Sequence, residues 1–139
     1  MIGGAGRMGR ILARAFRSAG HSVAIHDPGR RLTGFPSVPL ETAAAADAVV
    51  VSVSLEATPA VLAELLSLSP PGLVLDVASV KGPLLPIYAK AARSGLSVAS
   101  VHPMFGPGVR SLDGQNLIVC DAGVPAATRA AARLFAGHG

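Results

Sequence analysis

The chain has 139 residues, half of them hydrophobic and 14% charged, with one cysteine and a formal net charge of +4. That length fits one globular domain whose core needs no disulfide or metal staple, and the low charge excludes a disordered tail. No apolar run reaches the roughly 18 residues of a membrane span, and Gly and Arg break the first apolar stretch, so nothing there reads as a secretory signal. A lone cysteine excludes an internal disulfide framework and fits a reducing compartment. The expectation is a soluble, cytoplasmic domain over residues 1–139.

Helical and strand signals alternate along the chain. Residues 7–19 repeat apolar positions at a helical period and stop at Gly20. Residues 22–26 (SVAIH) read as a short strand closed by Asp27-Pro28-Gly29. Residues 28–40 are rich in Pro, Gly and Arg and predict irregular structure with a brief strand near Phe35. An Ala-rich helix is predicted at 41–48, then a nearly continuous apolar strand at 48–53, as suits a parallel strand covered on both faces. Helices at 60–68 and 83–93 flank a strand at 73–77; a strand at 97–101 ends at His102. The glycine- and proline-containing stretch 103–115 is a loop, followed by a strand at 116–120 and a helix at 125–136. This alternation predicts a doubly wound, mostly parallel α/β sheet.

Arg7, Arg10, Arg14 and Arg17 share one helix face, with Met8, Ile11, Leu12, Ala15 and Phe16 on the other. The stripe reads as a solvated face. With four Phe, one Tyr and no Trp, the chain has no platform for stacking bases, and nucleic acid is not expected as a partner.

Gly4-Ala5-Gly6-Arg7-Met8-Gly9 is a G-x-G-x-x-G opening the first helix. Its glycines suit a tight turn, close backbone approach to a pyrophosphate and close helix–strand packing, while the helix N-terminus offers free N–H groups to phosphate. Asp27 lies 18 residues after Gly9 at the end of the next strand signal, where a carboxylate binds a ribose 2′-hydroxyl. The loop, helix, strand and acid together point to a Rossmann-type dinucleotide site. An acid at Asp27 favours NAD over NADP, a preference that Arg30 and Arg31 could soften. As a turn former before Pro-Gly, Asp27 also has a purely structural reading.

Two further motifs follow predicted strand ends: Asp76-Val77-Ala78-Ser79-Val80-Lys81 and His102-Pro103-Met104-Phe105-Gly106-Pro107. Histidine suits proton abstraction near neutrality, and a hydroxyl such as Ser79 can hold the same alcohol oxygen. A histidine beside a proline loop can equally be structural. His21 and His26 have weaker cases, and His138 lies in the terminal tail. No metal-ligand spacing occurs, and Cys120 reads as an inert core thiol. A Ser79–His102–Asp76 hydrolase lacks the Gly-x-Ser-x-Gly elbow.

In order and spacing, the glycine loop from Gly3, the Asp76–Lys81 motif and the His102–Pro107 motif resemble the prephenate dehydrogenase family, and the likeness extends to Ser111-Leu112 and Val119-Cys120-Asp121. The resemblance implies NAD-dependent oxidative decarboxylation of prephenate to 4-hydroxyphenylpyruvate, on the route to tyrosine. It makes His102 the acceptor of the ring-hydroxyl proton, with activity falling as the imidazole becomes protonated, and makes Ser79 the hydrogen-bonding partner of that hydroxyl. Gly4, Ala5, Gly6, Arg7, Met8, Gly9 and Asp27 would hold the cofactor. Ser54 would lie on the nicotinamide side, where the family pattern has proline. Lys81 matches the motif with a structural role or a substrate contact, and Arg110 could meet a substrate carboxylate.

The family pattern continues into a helical C-terminal domain that supplies a dimer interface and substrate-binding cations. Residues 1–139 are therefore expected to be the nucleotide-binding domain alone, with Met1-Ile2 the remnant of its first strand; the full-length enzyme would be a homodimer. Arogenate or an amino analogue of prephenate, another β-hydroxyacid-type dehydrogenase, and a module that binds NAD without turnover are the competing readings.

Overall fold

In the computed structural model, which describes residues 1–136, the first helix, α1 (Arg7–Ser18), buries Leu12, Ala13 and Phe16 and leaves Arg7, Arg10, Arg14 and Arg17 exposed. The arginine stripe is the solvated face that its spacing suggests. The helix ends as the sequence predicts. Gly20 takes φ +90 and donates to the Arg17 carbonyl, while the His21 N–H reaches the Phe16 carbonyl, the paired bonds of a Schellman stop. His21 then packs edge-on against the Phe16 ring.

The remaining elements are α2 (Leu40–Ala44), β1 (Ala48–Val51), α3 (Thr58–Ser67), β2 (Leu73–Asp76), a short 3-10 turn (Gly82–Leu84), α4 (Leu85–Arg93), β3 (Val98–Pro103), β4 (Leu117–Cys120) and α5 (Pro125–Phe135). The sheet runs β1-β2-β3-β4, with the first three strands parallel and β4 antiparallel to β3. Val49 faces Val74, Leu75 faces Ala99, and His102 faces Ile118. Single bridges extend the sheet beyond β1: Ile2 pairs in parallel with both Val51 and His26, and Ile25 pairs with Ser37. The spatial order is therefore Ser37, Ile25-His26, Ile2, β1, β2, β3, β4. Chain direction across the sheet reverses between Ile2 and β1, and open α/β sheets bind ligands at such a point.

Alternate residues of the strands feed two cores, as a pleated strand requires. Val49, Val51, Val74 and Val98 pack with Leu62, Leu65 and Tyr88 of α3 and α4. Val50, Leu75, Ala99 and Val101 pack with Leu12 and Phe16 of α1 and with Ala127, Ala131 and Phe135 of α5. This is the doubly wound arrangement, with helices on both faces.

Several local expectations change. The 22–26 strand contracts to the bridges at Ile25 and His26, and the segment expected near Phe35 bridges at Ser37. The Ala-rich helix ends at Ala44, and the 48–53 strand at Val51. Pro83 falls inside the 3-10 turn Gly82–Leu84, and α4 begins only at Leu85. Cys120 is half-buried on the outermost strand, so it is not a core thiol. His138 lies outside the described residues.

The two-layer core makes a direct prediction. Leu65, with no exposed surface, should cost about 2–5 kcal/mol when truncated to Ala. Leu68→Ala, at a residue 41% exposed, should cost less than about 0.5 kcal/mol. Urea midpoints that shift equally for both would contradict this layering.

Candidate nucleotide-binding and catalytic site

The turn from Ile2 into α1 lies at the reversal point of the sheet. Gly6 precedes the helix and donates its N–H to the Gly3 carbonyl at 3.0 Å. No side chain caps α1, so the N–H groups of its first turn remain available to an anion. Gly9 sets how closely the helix approaches. A Cβ there would collide with the Gly3 carbonyl and lie 2.8 Å from the Gly4 Cα. Gly4 and Ala5 are the buried residues at the start of the loop, and the Ala5 N–H donates to Asp27 Oδ2 at 3.3 Å. Asp27 thus sits against the glycine loop, as its sequence position suggests.

A second set of bonds holds the far side. The Asp76 carboxylate is fully buried at the end of β2. Oδ1 accepts the Ala78 N–H at 2.8 Å and the Lys81 ammonium at 3.0 Å, and Oδ2 accepts the Tyr88 hydroxyl. Lys81 Nζ also donates to the Val101 carbonyl at 2.8 Å. The cluster therefore fixes the backbone immediately before Ser79 and immediately before His102. Burial, and then the charge of Asp76, push the Tyr88 pKa far above its usual value of 10.0. Lys81, left open between structure and substrate by sequence, is a tie between β2 and β3.

These two halves border one cleft of about 930 Å³. The sequence-predicted residues Gly6, Arg7, Met8, Asp27, Ser54, Ser79 and His102 all line it, while Gly4, Ala5 and Gly9 support it from behind. Ser54 is exposed and also organises the start of α3. Its Oγ accepts the Ala57 N–H, and its carbonyl accepts the Thr58 hydroxyl. Arg110 is exposed and lies outside the cleft lining. Leu40, Val61 and Glu64 were not singled out by sequence but form part of the wall. They carry no local motif and reach the cleft only because α2 and α3 pack beside it. Among the described residues no group of His, Cys, Asp and Glu could hold a metal ion, and no helix is long and apolar enough to cross a membrane.

The strand order and the cleft define a Rossmann-type nucleotide-binding domain. Residues 13–135 match the family described as prephenate dehydrogenase, nucleotide-binding domain. The chain belongs to that family. It is 34% identical over 128 residues to the T-protein of Enterobacter agglomerans, covering 91% of this chain and 32% of that protein. The chain thus spans about a third of the length of this curated relative. Two solved structures share the fold at 20% identity. A presumptive prephenate dehydrogenase of Corynebacterium glutamicum has a TM-score of 0.76, over 95% of this chain and 50% of its own. An imine reductase variant from Myxococcus stipitatus in complex with NAD+ has a TM-score of 0.74, over 96% and 50%.

The buried cluster generates two predictions. Tyr88 is the sole tyrosine, so its ionisation can be followed directly by tyrosinate absorbance. No signal should appear near pH 10 while the fold persists. A raised native pKa means that the folded state holds the proton more firmly, so stability should fall as pH rises above about 10. A native-state transition near pH 10 would contradict the cluster. Lys81→Met leaves a buried carboxylate without its cation and should destabilise by about 3 kcal/mol, measured by urea denaturation.

Proposed function

We propose that this chain is the NAD-binding part of a prephenate dehydrogenase, with His102 and Ser79 as its catalytic side chains. The carrying observation is that one cleft joins the phosphate-ready N-terminus of α1, Asp27, Ser79 and His102. The residues suit the dinucleotide. Gly6 and the first turn of α1 would hold the pyrophosphate through N–H groups, and the absence of a Cβ at Gly9 keeps that helix against the loop. Asp27 would bind the adenosine ribose and favour NAD. Arg7, Met8 and Ser54 would border the bound cofactor. When bound, NAD supplies the hydride acceptor.

His102 would accept the proton of the substrate's ring hydroxyl through a neutral imidazole. Ser79 would hydrogen-bond the same oxygen and limit its rotation. Loss of the ring carboxylate as CO₂ leaves an aromatic ring, so the chemistry asks the protein chiefly for positioning. The fixed backbone before both residues supports that division of labour. Prephenate is the substrate this reading favours over arogenate or an amino analogue. The full-length enzyme would be a cytoplasmic homodimer with a helical C-terminal domain.

A second reading rests on the chain spanning 32% of the T-protein's length: NAD binding without turnover by this polypeptide alone. NADH formation from prephenate separates the two readings. In turnover, His102→Asn should lower kcat by about 10²–10⁴-fold while leaving the Kd for NAD within about twofold. Near-full turnover by His102→Asn would overturn its role as the base.

A further inference from the structure

The parallel pairing of β2 with β3 stops at Asp76, opposite Ser100. A parallel ladder repeats its bonds at even spacing, every second residue. The pattern that brings the Val74 N–H to the Ser97 carbonyl at 2.8 Å would, two ladder steps on, bring the Ala78 N–H to the Val101 carbonyl. That bond is not made. The Ala78 N–H turns back to Asp76 Oδ1 at 2.8 Å, and Lys81 Nζ donates to the Val101 carbonyl at 2.8 Å in its place. A side chain thus stands where the missing ladder donor would be. It lets β2 leave β3 and carry Ser79 to the cleft without orphaning a strand carbonyl.

The carbonyl that Lys81 holds belongs to the peptide joining Val101 to His102. The N–H side of that peptide is held as well. Met104 donates to the Asn116 carbonyl at 2.9 Å, and antiparallel bonding alternates along the strand, which directs the His102 N–H to its register partner Ile118. The Lys81 side chain is only 20% exposed, and it is not among the residues lining the cleft. Both of its bonds point into the frame, so it is not placed to meet a substrate. We infer that Lys81 is a positioning residue for His102: as a surrogate ladder donor it fixes the peptide from which the imidazole projects, at the point where the strands part. The bond to Val101 carries this role, and the ion pair with Asp76 holds the ammonium where it can make that bond. The inference rests on the reading of His102 as proton acceptor and deepens it.

Proton NMR of the His102 imidazole, assigned by the signal that His102→Asn removes, reads this role without turnover. Lys81→Met should shift that resonance, whereas Leu65→Ala, which destabilises the core elsewhere, should leave it in place. Asp76→Asn/Lys81→Met avoids a buried unpaired carboxylate and should shift the resonance as Lys81→Met does, since Val101 again lacks its donor. Lys81→Arg keeps a cation with N–H donors and should move the signal back toward wild type. In NADH formation from prephenate, both Met variants should lose about 10- to 100-fold in kcat, the effect of a misplaced reacting group. Their KM for prephenate and Kd for NAD should stay within about twofold of wild type. A raised KM with unchanged kcat would overturn the inference in favour of a substrate contact. So would a His102 resonance that neither Met variant moves, or that Leu65→Ala moves equally. A wild-type chain that binds NAD but forms no NADH from prephenate would instead count against the catalytic reading, and the NMR comparison would still decide whether Lys81 sets the imidazole.

Discussion

A carboxylate with no exposed surface is the constraint on which the site's geometry depends. Removing Asp76 from water is costly unless both carboxylate oxygens find donors. The chain meets that demand with three different kinds of group: the Lys81 ammonium, the Tyr88 hydroxyl and the Ala78 N–H. Ala78 and Lys81 lie in the β2–α4 connection and Tyr88 lies in α4 itself, so satisfying the charge also holds that connection and helix against β2. Lys81 carries the constraint onward through the Val101 carbonyl to β3. A neutral residue at the end of β2 would fill the space but would leave these elements free to slide.

The opposite half of the cleft is built with almost no side chains. Backbone N–H groups at the start of α1, the missing Cβ of Gly9 and the Gly3 carbonyl define its shape. Polar backbone suits a pyrophosphate, whose negative charge is spread over several oxygens and asks for many modest donors. The other half places the His102 imidazole and the Ser79 hydroxyl on backbone tied to neighbouring elements. The two construction methods meet at the reversal point of the sheet, between Ile2 and β1.

Much of this was legible in the chain's order of residues because the signals are local. The glycine loop, the stop at Gly20 and the apolar run at β1 depend on neighbours within a few positions. The buried strand at 48–51 could be read from its continuous Val content. What was not legible depends on how the chain folds back on itself. Asp76 resembles any acid at a strand end until Lys81 and Tyr88 are brought to it. The antiparallel direction of β4 leaves no mark in its apolar pattern, and it places Cys120 on an outer strand where the pattern alone suggested a core. Leu40, Val61 and Glu64 likewise reach the cleft only through helix packing.

The double attachment of Lys81 also bears on how such a domain can diversify. The backbone leading to Ser79 and the backbone leading to His102 hang from the same ion pair, so neither can drift without displacing the other. Substitutions that alter ligand choice are then tolerated best on the outer walls of the cleft, where exposed residues such as Arg30 and Glu64 carry little of the fold. Conservation of the cleft's frame and variation of its walls become separable, with the boundary between them drawn by one lysine.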